Sequence, residues 1–300
     1  MNTNNQNMEF CILGCGRLGI SLAVFLSRQG FIPKAFSSKT YESAQKAVGC
    51  AGKGQAYENS VDAVKTCNLV FITTPDTLIE SVCEKISNEG GFGNDSIVYH
   101  LSGALSSSIL ESAKKRGAKI GSIHPLQAFA PYDSGQKSPF KGINISLEGD
   151  ADAIELGKEI VNALKANSFT IPTAAKTLYH ASAVVASNYL VTLEHFALEL
   201  LKEADLSEEN AYEILEPLIM GTLSNIKARG SINALTGPVA RGDDEIVSRH
   251  LSDIDRKLPQ FSDLYRLLGK YTLDITAASS DNSDGISDDA HRKLANLFNF

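Results

Sequence analysis

The chain has no stretch approaching the roughly 20 uninterrupted apolar residues of a membrane span, although 43% of its 300 residues are apolar. It has no basic excess either. The formal net charge is −7, and the cations are scattered apart from a short "AKKRGAK" at 113–119. Neither a membrane nor a nucleic-acid partner is expected. The opening "MNTNNQNMEF" lacks the basic and apolar regions of a secretion signal, so residues 1–7 read as a frayed tail and the location as cytoplasmic. Cysteine is absent beyond residue 83. The five thiols (Cys11, Cys15, Cys50, Cys67 and Cys83) are odd in number and form no C-x-x-C pair. That pattern argues against a disulfide framework or a zinc or other metal site, and for reduced, buried thiols.

What the first half does have is alternation. "EFCIL", "FIPKAF", "LVFITTP", "SIVYHLSG", "KIGSIHPL", "GINISLEG" and "SFTIP" read as strands. Most are separated by helical patterns such as "ISLAVFLSRQG", "YESAQKAVGC" and "DTLIESVCEKIS". Strand and helix in turn imply a parallel sheet covered on both faces, that is, an α/β, doubly wound Rossmann-type domain over 8–172. Beyond Pro172 the strand pattern stops. One long helix is expected at 174–204, then helices near 207–229, 243–256, 259–280 and 287–298, with a kink at Pro217 and a polar loop at 281–289. Residues 173–300 therefore read as an all-α domain.

The first strand breaks into Gly14, Gly16, Arg17, Leu18 and Gly19, a G-x-G-x-x-G that also opens the first helix. In that context Gly14 suits a tight turn. Gly16 lets a pyrophosphate approach the backbone, and Gly19 lets helix pack on strand. The helix N-terminus then offers free N–H groups to the phosphates. Another absence sets the cofactor. NAD binders place an acid about 20 residues past the glycines to hold the ribose hydroxyls. Here Ser37, Ser38 and Lys39 stand there, and no carboxylate follows until Glu42. Two hydroxyls and an ammonium, with Arg17, suit a 2′-phosphate, so NADP(H) is expected. Thr73, Thr74 and Pro75 at the next strand end are expected to line the cofactor groove. Ser102 and Gly103 offer a hydroxyl and an exposed N–H, and His124 either contacts substrate or is structural. His100 reads as structural.

"AKTLYHASAVVASNY" (175–189) is nearly all small or apolar, yet it carries Lys176 and His180 one turn apart. A charge is not buried without a partner or a use. On a regular helix His180 lies about 40° from Lys176 and Ser187 about 20°, with Asn188 on the flank of the same stripe. Reducing a ketone needs a hydride from one side and a proton for the nascent alkoxide. A buried lysine of lowered pKa can supply that proton, with His180 orienting the carbonyl or sharing the proton. The bland reading is a snorkelling lysine beside a satisfied core histidine. In "LTGPVARGDDEI" Arg241 is a candidate for capture of a substrate carboxylate, or else a salt-bridge partner of the adjacent acids, and Asp243 or Asp244 caps the next helix.

Taken together, "ILGCGRLG", "HLSG", "IHPLQ", "YHASAVVASNYL" and "TGPVARGD" resemble the signatures of Rossmann-like proteins with a C-terminal domain of unknown function 2520, over roughly residues 8–280. That group is similar to the ketopantoate reductase, β-hydroxyacid dehydrogenase and pyrroline-5-carboxylate reductase superfamily. The resemblance implies NAD(P)H-dependent reduction of a small oxo acid or imine, and a homodimer joined through the helical domains. Some members are thought to be alternative ketopantoate reductases of pantothenate biosynthesis. Lys176 matches the lysine of the β-hydroxyacid dehydrogenase Lys-x-x-x-Asn pair, but His180 stands where the asparagine would be. The expectation is an NADPH-dependent reductase of a small carboxylic acid, with 2-dehydropantoate foremost. The alternatives are a cyclic-imine reductase and a non-catalytic NADP-binding sensor or scaffold.

Overall fold

The computed structural model describes residues 8–206, 210–278 and 286–299. The expected tail at 1–7 and the 281–285 part of the expected polar loop lie outside them. The chain divides into two compact units, residues 1–186 and 187–300. The division falls within the segment expected to be one helix, beyond the expected boundary at 172.

The first unit holds an eight-stranded sheet in the order β3-β2-β1-β4-β5-β6-β7-β8. The strands are β1 (Glu9–Leu13), β2 (Ile32–Ser37), β3 (Gln55–Tyr57), β4 (Leu69–Ile72), β5 (Ile97–His100), β6 (Lys119–Pro125), β7 (Asn144–Gly149) and β8 (Asn167–Thr170). Between them run α1 (Arg17–Ser27), α2 (Tyr41–Ala51), α3 (Ser60–Val64), α4 (Asp76–Asn88), α5 (Glu111–Lys114) and α6 (Ala151–Ala163). β3 and α3 are additions to the sequence reading, too short to show a period. The segment "SSSILESAKKRG" at 106–117, whose pattern between two strands reads as helical, is a 3₁₀ turn at Ser107–Leu110 running into α5.

Strand side chains alternate between the faces, so the sheet carries two cores. Phe10, Ile12, Phe36, Phe71 and Tyr99 point to one face, which Leu22, Leu26 and Ile160 cover. Cys11, Leu13, Val70, Ile72 and Val98 point to the other, which Val64, Ile79 and Leu110 cover. Of the five free cysteines four are buried and Cys50 is half-buried.

The six strands β1–β6 are parallel, as the doubly wound reading expects, and the direction reverses only at β7, which runs antiparallel to β6. The cause is visible in the connection. Residues 126–143 contain no helix among their described positions, and only a parallel crossover requires one. The reversal sets Ser122 opposite Glu148 and His124 opposite Ser146, while His100 of β5 lies beside Ser122. The Tyr99 and Ile123 side chains belong to one core. His100, Ser122, His124, Ser146 and Glu148 therefore occupy the opposite face, as two polar rows crossing the strands.

Past β8 a 3₁₀ turn (Thr173–Ala175) leads into α7 (Lys176–Val184). The expected single helix over 174–204 is interrupted by a π-helical turn at Val185–Tyr189 before α8 (Leu190–Glu203). Its i→i+5 bonding ends the regular spacing on which the stripe from Lys176 to Ser187 and Asn188 was reckoned.

The second unit contains α8, α9 (Ala211–Asn233), α10 (Pro238–Arg241), α11 (Asp244–Lys257), α12 (Ser262–Ala277) and α13 (Asp288–Leu297). Its core gathers Val247, Leu251, Leu273, Leu294 and Phe298. The break in α9 is at Gly230, whose φ of 79° is non-helical, and not at the expected Pro217. No helix among the described residues is long and apolar enough to cross a membrane.

Candidate functional site

The glycine turn is built by main-chain contacts. Gly14 has φ 103° and donates its N–H to the Ser37 carbonyl at 2.8 Å. A side chain on Gly14 would overlap the backbone of Thr73 and Thr74. One on Gly19 would overlap the Gly14 carbonyl and the Thr73 hydroxyl. Thr73 braces the turn, its hydroxyl donating to the Leu13 and Gly14 carbonyls. Gly16 is different: a Cβ there would meet nothing within 4 Å. The open space lies at the N-cap of α1, which has no acid in its first turn. The Thr74 hydroxyl nearby is buried without a partner. A close backbone, a free helix N-terminus and an unsatisfied hydroxyl are what a dinucleotide pyrophosphate requires.

The Ser37 to Lys39 segment divides its labour. Ser37 is buried and serves the turn through its carbonyl, which also accepts from the Cys15 thiol. Ser38 Oγ accepts from the Cys15 N–H at 3.2 Å. Lys39 and Arg17 are exposed, and Leu18 is half-buried against the core. Thr40 caps α2 through Ser43. Pro75 precedes the first turn of α4.

The second cluster is built by side chains on the polar rows. Lys176 is 1% exposed. Its Nζ donates to Ser122 Oγ at 2.6 Å and sits 5.9 Å from the centre of the Tyr179 ring. Burial pulls its pKa down to about 8, against the upward pull of Glu148 and Asp76. Glu148 is buried too, and it accepts from the Ser107 N–H and hydroxyl at 2.7 Å and from the Thr173 hydroxyl at 3.0 Å. His124 Nδ1 lies 2.9 Å from Tyr179 Oη. Burial, then the charges of Lys176 and His180, push the His124 pKa down to about 4, so the ring is neutral near pH 7. The rings of His124 and His180 cross at 6.0 Å.

Gly103 explains how they meet. Any side chain there would overlap both His180 Nδ1 and His124 Nε2. The glycine is buried between the rings. His180 Nδ1 is buried without a partner. Ser102 donates to Asp76 Oδ2 at 2.8 Å and accepts from the N–H groups of Ala104 and Leu105, so its hydroxyl proton is committed to an acid. His100 is fully buried and accepts from the Ser102 N–H. Burial and Lys176 push its pKa down to about 3, as befits a structural ring.

The structure thus brings Ser102, His124, Lys176 and His180 together at the carboxyl edge of β5 and β6. The sequence reading did not single out Glu148, Asp76 or Tyr179. Glu148 left a trace, an acid at an alternating position of an otherwise inward-facing strand. Asn188 and Arg241 belong to the second unit. Asn188 lies in the π turn and is exposed. Arg241 binds Asp243 Oδ2 through Nε at 3.0 Å and Nη2 at 2.9 Å. Asp243 stands at the N-cap of α11 but makes no side-chain cap bond. Among the described residues no cluster of His, Cys, Asp and Glu is able to hold a metal ion.

Residues 2–125 match the model of a Rossmann-like domain, and residues 143–272 match that of a domain of unknown function, DUF2520. No curated protein matches the chain. Among solved structures, the chain is similar to Bacteroides fragilis BF3122, provisionally named an NADP oxidoreductase. The TM-score is 0.72 at 21% identity, over 90% of this chain and 100% of that one. Thermotoga maritima TM1727 gives 0.67 at 26% identity, over 90% and 98%. Plasmodium falciparum pyrroline carboxylate reductase with NADP bound gives 0.57 at 11% identity, over 98% and 99%. At 21% and 11% identity the likeness is one of fold.

Proposed function

We propose that the chain is an NADPH-dependent reductase of a small 2-oxo acid. The observation that carries this reading is a fully buried lysine of lowered pKa on the carboxyl edge of the sheet that also holds the glycine turn. In open α/β sheets ligands bind beyond that edge. The turn, Thr74 and the free N-terminus of α1 hold the pyrophosphate, and the exposed Arg17 and Lys39 meet the 2′-phosphate. When bound, NADPH supplies a hydride. The protein's part is the proton. Lys176, charged below about pH 8, gives one to the oxygen of the reduced carbonyl, and Ser122 fixes its Nζ. His124 and His180 orient that oxygen.

The chain is further proposed to act as a homodimer through its helical unit. Val191 of α8 and Leu218 and Met220 of α9 are exposed by 68%, 68% and 58%; Leu218 and Met220 lie on different faces of α9, and a helix that is apolar on more than one face suits burial against a second copy. Light scattering in solution reads the mass directly, and a monomer at working concentration rejects it.

The decisive test is a screen with purified protein that follows NADPH consumption across 2-oxo acids, 2-dehydropantoate first, and cyclic imines. Turnover of an oxo acid supports the reading. Turnover of imines alone replaces it with an imine reductase, and tight NADPH binding without turnover replaces it with a sensor. Restored growth of a pantothenate auxotroph lacking ketopantoate reductase would fix the substrate.

A further inference from the structure

Tyr179 lies in α7, one residue before His180. Its ring meets the His124 imidazole edge-on at 5.6 Å and rests against Phe169 of β8 at 6.0 Å. Its hydroxyl faces two groups, His124 Nδ1 at 2.9 Å and the hydroxyl of Ser146. The Ser146 Oγ, though buried, satisfies no hydrogen bond, so the histidine is the real partner. Burial raises the Tyr179 pKa, and the phenol keeps its proton. A neutral imidazole has one N–H and one bare nitrogen, and the hydrogen bond made by one nitrogen decides the state of the other. Between a phenol O–H and an imidazole N–H, the phenol is the stronger acid and the better donor.

We infer that Tyr179 is a positioning residue that locks His124 as its Nε2–H tautomer, so that the site turns hydrogen-bond donors toward the substrate and selects a carbonyl oxygen over a protonated imine. Nε2 faces Gly103 and His180, away from Tyr179. The Lys176 ammonium is likewise donor only. Of the acids in the cluster, Glu148 is engaged through both oxygens by Ser107 and Thr173, and Asp76 through Oδ2 by Ser102. A carbonyl oxygen accepts from such a set. A protonated imine brings its own N–H and a positive charge, and meets an ammonium and an N–H where a carbonyl oxygen finds two donors. The selection for carbonyls rests on the reductase reading above, whereas the tautomer does not.

The test has two readouts. The full chain is labelled with nitrogen-15 histidine, and long-range proton–nitrogen correlations are recorded near pH 7 without ligands, with His124→Asn to assign the signals. The expected result is a protonated Nε2 and a bare Nδ1 at His124, a pattern lost to a mixture or to the Nδ1–H form in Tyr179→Phe. An Nδ1–H form in the unaltered protein, or an unchanged pattern in the variant, overturns the tautomer assignment. The second readout is kcat/KM for a 2-oxo acid over that for a cyclic imine, expected to fall about tenfold in Tyr179→Phe. An unchanged ratio overturns the selection. A protein that reduces neither compound loses both the reductase reading and the selection, and the spectra still decide the tautomer.

Discussion

The glycine turn and the lysine–histidine cluster stand on the same edge of one sheet, yet they are built in opposite ways. The turn spans residues 14–19, uses main-chain groups and is braced by a neighbouring strand. The cluster draws on Asp76, Ser102, Gly103, Ser122, His124, Glu148, Lys176, Tyr179 and His180, which come from three strands or strand ends and two helices, and it works through side chains. A main-chain device is rigid because the fold is rigid. A side-chain device is held by its own burial and hydrogen bonds, so it tolerates loss of function without loss of fold.

That contrast is sharpest at Lys176. Lys176→Met is expected to lower kcat a hundredfold or more and to leave the melting temperature unchanged or higher. Burial lowers the lysine pKa from its ordinary 10.5 to about 8, a burden of about 3 kcal/mol on the folded state. The sign follows from linkage. Below about pH 8 the ammonium is buried and the burden is full, and it fades as pH rises toward 10.5. The gain from methionine is therefore greater at neutral pH than at pH 10, as paired thermal melts would show. In the unaltered protein kcat should fall as pH rises through about 8, because the neutral amine has no proton to give. A melt lowered by several degrees in Lys176→Met would make the lysine structural.

The turn predicts the reverse pairing. Gly14→Ala puts a Cβ into the Thr73 and Thr74 backbone at a positive φ, and a loss of about 3 kcal/mol of stability is expected in chemical denaturation. Gly16→Ala meets open space and should unfold like the parent, while NADPH binding measured by calorimetry weakens tenfold or more. Equal stability loss in both would mean that Gly16 is only a structural glycine.

Gly103→Ala presses first on the two imidazole rings of His180 and His124. Turnover is expected to fall about tenfold for less than about 1 kcal/mol of stability; a large stability loss with normal turnover would place Gly103 with Gly14. The smallest effect belongs to Arg241. Its pairing with Asp243 is exposed, so Arg241→Ala should change stability by less than about 1 kcal/mol. If it anchors the carboxylate, KM rises several-fold at constant kcat. Unaltered steady-state constants leave Arg241 as a surface ion pair.

The sequence revealed the turn because its information is local: strand, glycines and helix follow one another within a dozen residues. It revealed the two lysine–histidine positions because an ammonium in an apolar helix has few innocent explanations. It could not reveal what surrounds them. Ser122 and Glu148 become neighbours through the antiparallel register of β6 and β7, and His124 and Tyr179 through the docking of α7 on that face. The π turn at 185–189 was hidden as well, since a run of small and apolar residues suits either helical spacing. Lys39 and Arg17 were legible as cations, but Ser37 reads as a groove residue only until its burial is seen.

The reversed β7 has a consequence for how this scaffold can vary. The span joining it to β6 carries no crossover helix, and its ends are pinned by Phe129 and the fully buried Phe140. Insertions or deletions between Tyr132 and Phe140 would therefore leave both polar rows in register. The same fold can carry rims of different length around unchanged chemistry.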